Sequence, residues 1–141
     1  MGFQSHYAVG MGDWNYKNLI RKGPTITSDE RRYREDLQHV LDNPELAVGG
    51  VTYGWLHQAF LSMDRLMQPS CAARIACPVL IVSAGSDQVV DSRAHHRLAT
   101  WVPQTRHVSI EGAQHEILRE TDALRDRFWR EFDLFVQSIT E

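Results

Sequence analysis

PVLIVSAGSDQVVD, residues 78–91, decides the fold. Pro78 to Ala84 is a continuous apolar run of strand length, the pattern of a parallel strand buried on both faces. Gly85 and Ser86 end it in a loop. Asp87 follows just beyond the carboxyl end of the strand, where α/β proteins place their active sites. Downstream, Ser92 can cap a short helix through Trp101, which Pro103 closes. Thr105 to Ile110 then alternates, with Val108 and Ile110 on one side, as a second strand. A last helix begins near Thr121 and carries Leu124, Phe128, Phe132, Phe135 and Ile139 as a one-face stripe suited to docking on a sheet. The order β-α-β-α predicts an α/β unit with a mostly parallel sheet over residues 71–141.

Upstream the character changes. Residues 1–27 scatter Gly10, Gly12, Trp14, Tyr16, Gly23 and Pro24 without clear periodicity and read as loop or short helix. Thr27-Ser28-Asp29-Glu30 has the form of a capping box, in which Thr27 accepts from the Glu30 amide and Glu30 reaches back. It predicts a helix from about Ser28 to Leu41, with Tyr33, Leu37, Val40 and Leu41 on one face, stopped by Asp42-Asn43-Pro44. Gly49-Gly50 breaks the chain again. A second helix, about Tyr53 to Met67, gathers Leu56, Phe60, Met63 and Met67 on one face, and such stripes are usually core. Residues 1–70 therefore read as a helical segment distinct from residues 71–141.

Composition excludes several classes. With 43% hydrophobic and 23% charged residues, the 141-residue chain is built like one globular domain rather than a disordered tail or a disulfide scaffold. No apolar run approaches the roughly 20 residues of a transmembrane helix, and the N-terminus lacks the pattern of a signal peptide. The expected compartment is the cytoplasm, with peripheral membrane contact left open. Fifteen basic against 18 acidic residues, interleaved, offer no phosphate-neutralising block, so no nucleic-acid partner is expected. Cys71 and Cys77 match neither a CxxC nor a zinc spacing and read as reduced structural thiols.

The chemistry concentrates at two loops. In IEGAQHEILRE, residues 110–120, His115 follows the second strand after Gly112, which permits unusual backbone. Asp87 and His115 thus emerge from consecutive strands at one sheet edge. A carboxylate so placed can hold an imidazole in one tautomer and stabilise its protonated form. Either residue alone is more often a turn former or a solvated side chain. Asp91, the rival acid, is placed to start the next helix or to bond the loop backbone, and Glu116 to face solvent. A metal site is not expected. His115-Glu116 begins H-E-x-x-H, but position 119 is Arg119, and the neighbours His95 and His96 point about 100° apart on a helix.

Read together, PVLIVSAGSDQVVDSRA, the strand TRHVSI and EGAQHEILRE resemble the C-terminal part of an α/β-hydrolase of the lysophospholipase and monoacylglycerol-lipase-like branch. The resemblance implies a partial α/β-hydrolase fold, with the triad acid in a G-x-D-x-x-x-D-like loop and the base in a G-x-x-H loop, here Asp87 and His115. TYGWLHQAF, residues 52–60, and the preceding helix resemble the family's cap, which implies acyl-chain contacts from Trp55, Leu56, Phe60 and Met63. The implied substrate is a lysophospholipid or monoacylglycerol-like acyl ester, with no cofactor. The departure is large: no serine lies in G-x-S-x-G. Ser86, beside the acid, reads as structural. The chain is thus expected to carry acid and base without the nucleophile, as the second half of a serine hydrolase. The rival reading is a catalytically silent binding or assembly module derived from such an enzyme. Either way, a two-stranded sheet leaves the 78–84 strand short of a neighbour, so a partner is expected: the missing N-terminal half, or a second copy in a dimer.

Overall fold

A computed structural model of the protein describes residues 2–17 and 26–140; Gly23 and Pro24 of the predicted N-terminal loop lie outside them. In chain order the helices and strands are α1 (Glu30–Asp42), α2 (Tyr53–Leu66), the short α3 (Pro69–Ala72), β1 (Val79–Ala84), α4 (Arg93–Trp101), β2 (Thr105–Ile110) and α5 (Asp122–Thr140). The N-terminal segment includes a 3-10 turn at Phe3–Ser5. It lies along residues 50–53: Ala8 donates to the Val51 carbonyl (3.0 Å) and Gly50 to that of Gly12 (2.8 Å).

β1 and β2 are parallel, in register from Val79↔Thr105 to Ala84↔Ile110, and are the two strands of the sheet among the described residues. Alternation then sorts the side chains. Val82, Ala84, Val108 and Ile110 face α5; Ala84 and Ile110, with Ala113 from the following loop, form the buried core, and Val82, Leu124 and Phe128 pack against it. Ser83 and His107 face the other way, toward α4, where the Ser83 hydroxyl lies 2.9 Å from His95 Nδ1 and 2.8 Å from His107 Nε2.

Five local expectations need correction. β1 is buried on both faces only at its carboxyl end, at Ser83 and Ala84; the residues before them are half-buried. The cap of α1 is Asp29, whose carboxylate accepts from Arg32 N–H (3.0 Å), and not Thr27. Thr27 is engaged elsewhere, accepting from the Asp29 amide (3.0 Å) and donating to the Arg119 carbonyl (2.8 Å), while Glu30 pairs with Arg34. Ser92 does not cap α4; its backbone is already helical and its hydroxyl donates to the Ala84 carbonyl (3.2 Å). Finally, the stripe of α2 is not core. Thr52 caps this helix, but Phe60 is 59% and Met63 49% exposed, because α2 packs mainly on the Phe3–Ser5 turn and α3. In α5, likewise, Leu124 and Phe128 dock while Phe132 and Ile139 remain exposed.

The start of α1 is clamped to the segment that precedes α5. Glu116 N–H donates to the Ile26 carbonyl (2.7 Å), and Arg119 Nε to Asp36 (2.8 Å). Buried Arg32 donates to the Glu120 carbonyl and to the Asp122 carboxylate. Sequence-distant polar groups therefore fix residues 26–36 against the loop that carries His115.

Candidate active site

The site is built at the carboxyl ends of β1 and β2, where two loops are stitched together. Gly85 N–H donates to the Ile110 carbonyl (3.0 Å), Ser86 N–H to that of Ala113 (2.8 Å), and Ala113 N–H back to Ile110 (3.1 Å). The loop after β2 turns at Gly112, whose φ of 88° lies in the left-handed region that glycine adopts without penalty. Beneath both loops lies the core of Ala84, Ile110 and Ala113.

On this base Asp87 and His115 meet: His115 Nδ1 lies 2.9 Å from Asp87 Oδ2. The acid side chain is 4% exposed and the imidazole 32%. Asp87 divides its oxygens. Oδ1 accepts from the Val89 (2.8 Å) and Val90 (3.1 Å) amides, which fixes the carboxylate, while Oδ2 is left for the imidazole. Burial pushes the Asp87 carboxyl up, but hydrogen bonds from His115 and the two amides outweigh it and hold the group below its ordinary value of 3.8. An ionised carboxylate only accepts, so Nδ1 carries the proton and donates to it. Nε2 is then the ring nitrogen free to take a proton from an attacking group.

Asp91 binds its own turn. Its Oδ1 accepts from Arg93 N–H (3.0 Å) and Arg93 Nε (2.9 Å), and the Arg93 side chain and amide hold its carboxyl down to about 2. Ser86 is exposed, and among the described residues no hydrogen bond joins it to His115. The apolar residues of α2 are not gathered here. Trp55 (60% exposed), Phe60 and Met63 point largely to solvent, Leu56 is half-buried, and none belongs to the cluster under the two loops. Among the described residues no group of three or more His, Cys, Asp or Glu could hold a metal ion, and no helix is long and apolar enough to cross a membrane.

Two features escape the sequence reading. The Ser83–His95–His107 cluster needs the parallel register and α4 together, and no local pattern announces it. Glu120, fully buried, accepts from the Gln114 amide beside His115 (2.8 Å). The available signal was an acid in a loop dense with polar residues, which is not specific.

Comparison with known proteins matches residues 7–122 to the family described as serine aminopeptidase, S33. The chain is 35% identical over 130 residues to lysophospholipase L2 of Escherichia coli K12, covering 87% of this chain and 37% of that protein. It is 27% identical over 125 residues to a probable lysophospholipase L2 of Haemophilus influenzae, covering 89% and 39%. The chain thus spans less than two-fifths of the length of these relatives. Among solved structures, a soluble variant of the Saccharomyces cerevisiae monoglyceride lipase in complex with a substrate analog superposes with a TM-score of 0.65 at 17% identity, over 91% of this chain and 43% of that one. The Paleococcus ferrophilus monoacylglycerol lipase does so at 0.60 and 20% identity, over 75% and 41%.

Proposed function

Because the chain belongs to the serine aminopeptidase S33 family and carries part of an α/β-hydrolase fold of lysophospholipase and monoglyceride-lipase type, we propose that it is the acid- and base-bearing portion of a serine hydrolase acting on carboxylic esters of lysophospholipids or monoacylglycerols. The observation that carries this reading is the 2.9 Å contact between His115 Nδ1 and buried Asp87.

The nucleophile, a serine on a G-x-S-x-G elbow, comes from a polypeptide segment outside this sequence. Its hydroxyl proton passes to His115 Nε2 as its oxygen attacks the ester carbonyl. Asp87 holds the ring in the required tautomer and stabilises the imidazolium. The imidazolium then returns the proton to the departing alcohol. The same nitrogen then takes a proton from a water that attacks the acyl-enzyme carbonyl and returns it to the departing serine oxygen, which releases the fatty acid and free serine. Residues 1–70 serve as cap, with Trp55, Leu56, Phe60 and Met63 in acyl-chain contact, and residues 71–141 as the C-terminal part of the core. The exposure of Trp55, Phe60 and Met63 supports a role against substrate or against the rest of the enzyme.

The absence of G-x-S-x-G also supports a second reading, a silent binding or assembly module. A fluorophosphonate probe separates the two. The hydrolase reading expects no labelled serine on the 141-residue chain alone, and one labelled serine, outside this chain, once its nucleophile-bearing partner is present. No labelling in either sample supports the silent module; labelling of a serine within the chain overturns both.

A further inference from the structure

Glu120 is 0% exposed, and among the described residues no Lys, Arg or His pairs with its carboxylate; Arg32 donates to its backbone carbonyl instead. A carboxylate deprived of both water and a counter-ion depends on hydrogen-bond donors. Three segments supply them. Oε1 accepts from the Gln114 amide (2.8 Å) and from the Ser28 amide (3.0 Å). Oε2 accepts from the Ser28 hydroxyl and from the Thr121 amide (3.3 Å). A single oxygen atom therefore joins the residue before His115 to the segment that leads into α1.

The side-chain carbonyl of Gln114 is buried with no partner among the described residues, so the hydrogen bond that holds this residue is the one from its backbone amide. Ala113 is tied to its own strand end, while Glu116 is tied to Ile26. Both anchors immediately flanking His115 thus run to residues 26–28, one directly and one through Glu120.

We infer that Glu120 is a positioning residue for His115: its carboxylate sets the backbone of the loop that aims the imidazole at Asp87, and couples that aim to the placement of residues 26–32. This rests on the reading of His115 as the base, but its test does not use turnover. The readout is the low-field Nδ1–H proton resonance of His115 and the exchange rate of the Gln114 amide, both by NMR on the purified protein. Glu120→Ala is expected to abolish the resonance and to speed Gln114 exchange by about tenfold, the factor that one hydrogen bond is worth. Glu120→Gln keeps a carbonyl oxygen in the Oε1 position and is expected to retain both signatures. Glu120→Asp keeps the carboxyl group on an arm one methylene shorter and is expected to lose both. A folded Glu120→Ala protein with both signatures unchanged overturns the inference. If Glu120→Ala does not fold, Glu120→Asp decides: retained signatures overturn it, lost signatures alongside an intact Glu120→Gln support it. Retained turnover in His115→Ala would instead remove the catalytic reading and leave these outcomes as they stand.

Discussion

Gly85 and Glu111 leave adjacent parallel strands so close together that a Cβ on Gly85 would lie 2.8 Å from Glu111 Cα and 3.0 Å from the Ile110 carbonyl oxygen. The obstacle is backbone, so no side-chain rotation relieves it. Gly85→Ala must push apart the loops that carry Asp87 and His115. Overpacking of this kind costs about 1–3 kcal/mol. We expect a lower urea midpoint together with loss of the His115 Nδ1–H resonance. An unchanged resonance would show that the close approach does not set the site.

Asp87→Asn separates geometry from charge. The introduced amide can still accept from the Val89 and Val90 N–H groups through its carbonyl oxygen, so the loop persists. Its NH2 group would then face Nδ1 and favour the tautomer with the proton on Nε2, the wrong one for a base. In the protein carrying both this chain and its nucleophile-bearing half, the expected loss in kcat is about 10⁴-fold with an unchanged circular dichroism spectrum, the size seen when a triad acid is so replaced. A loss below tenfold would remove Asp87 from the mechanism.

The Ser83 cluster makes stability depend on pH. Ser83 has one hydroxyl hydrogen, so at most one of His95 and His107 accepts from it and at least one donates. Burial, and then the neighbouring His96 and His95, lower the His107 pKa below 6.5. The unfolded chain therefore binds more protons than the folded one between that lowered value and 6.5, and stability falls as pH drops through this window. Urea titrations at several pH values should show this slope, and His107→Asn should flatten it. A slope unchanged in the variant would assign it to other groups.

The unpaired edge of β1 bears on assembly. Among the described residues β1 pairs only with β2, and Phe60, Trp55 and Phe132 are among the large apolar side chains left exposed. We expect the isolated chain to self-associate, or to become monodisperse only with an N-terminal half that covers this edge. Light scattering coupled to size-exclusion chromatography tests it. A stable monomer at dilute concentration would contradict the expected partner.

The legible parts were those governed by local pattern. Thr105 to Ile110 alternates and forms β2 over those residues, and apolar 78–84 contains β1. The contact between Asp87 and His115 was legible because strand ends in a parallel sheet converge on one edge. What failed depended on neighbours. The apolar run of β1 implied burial on both faces along its whole length, whereas only Ser83 and Ala84 are fully covered by the packing around them. Thr27 carried a capping signature, yet Asp29 was better placed and Thr27 found Arg119 from far along the chain. The bonds of Glu120 to Ser28 and of Ser83 to His107 likewise join residues far apart in the chain.

The role proposed for His115 is that, oriented by Asp87, it acts as the base of an acyl ester hydrolase. Its most direct test is fatty-acid release from a lysophospholipid by the protein carrying both this chain and its nucleophile-bearing half, with and without His115→Ala. In the variant kcat/KM is expected to fall by at least about 10⁴-fold while the protein stays folded. Release within tenfold of the unaltered protein, or none from either, would contradict it.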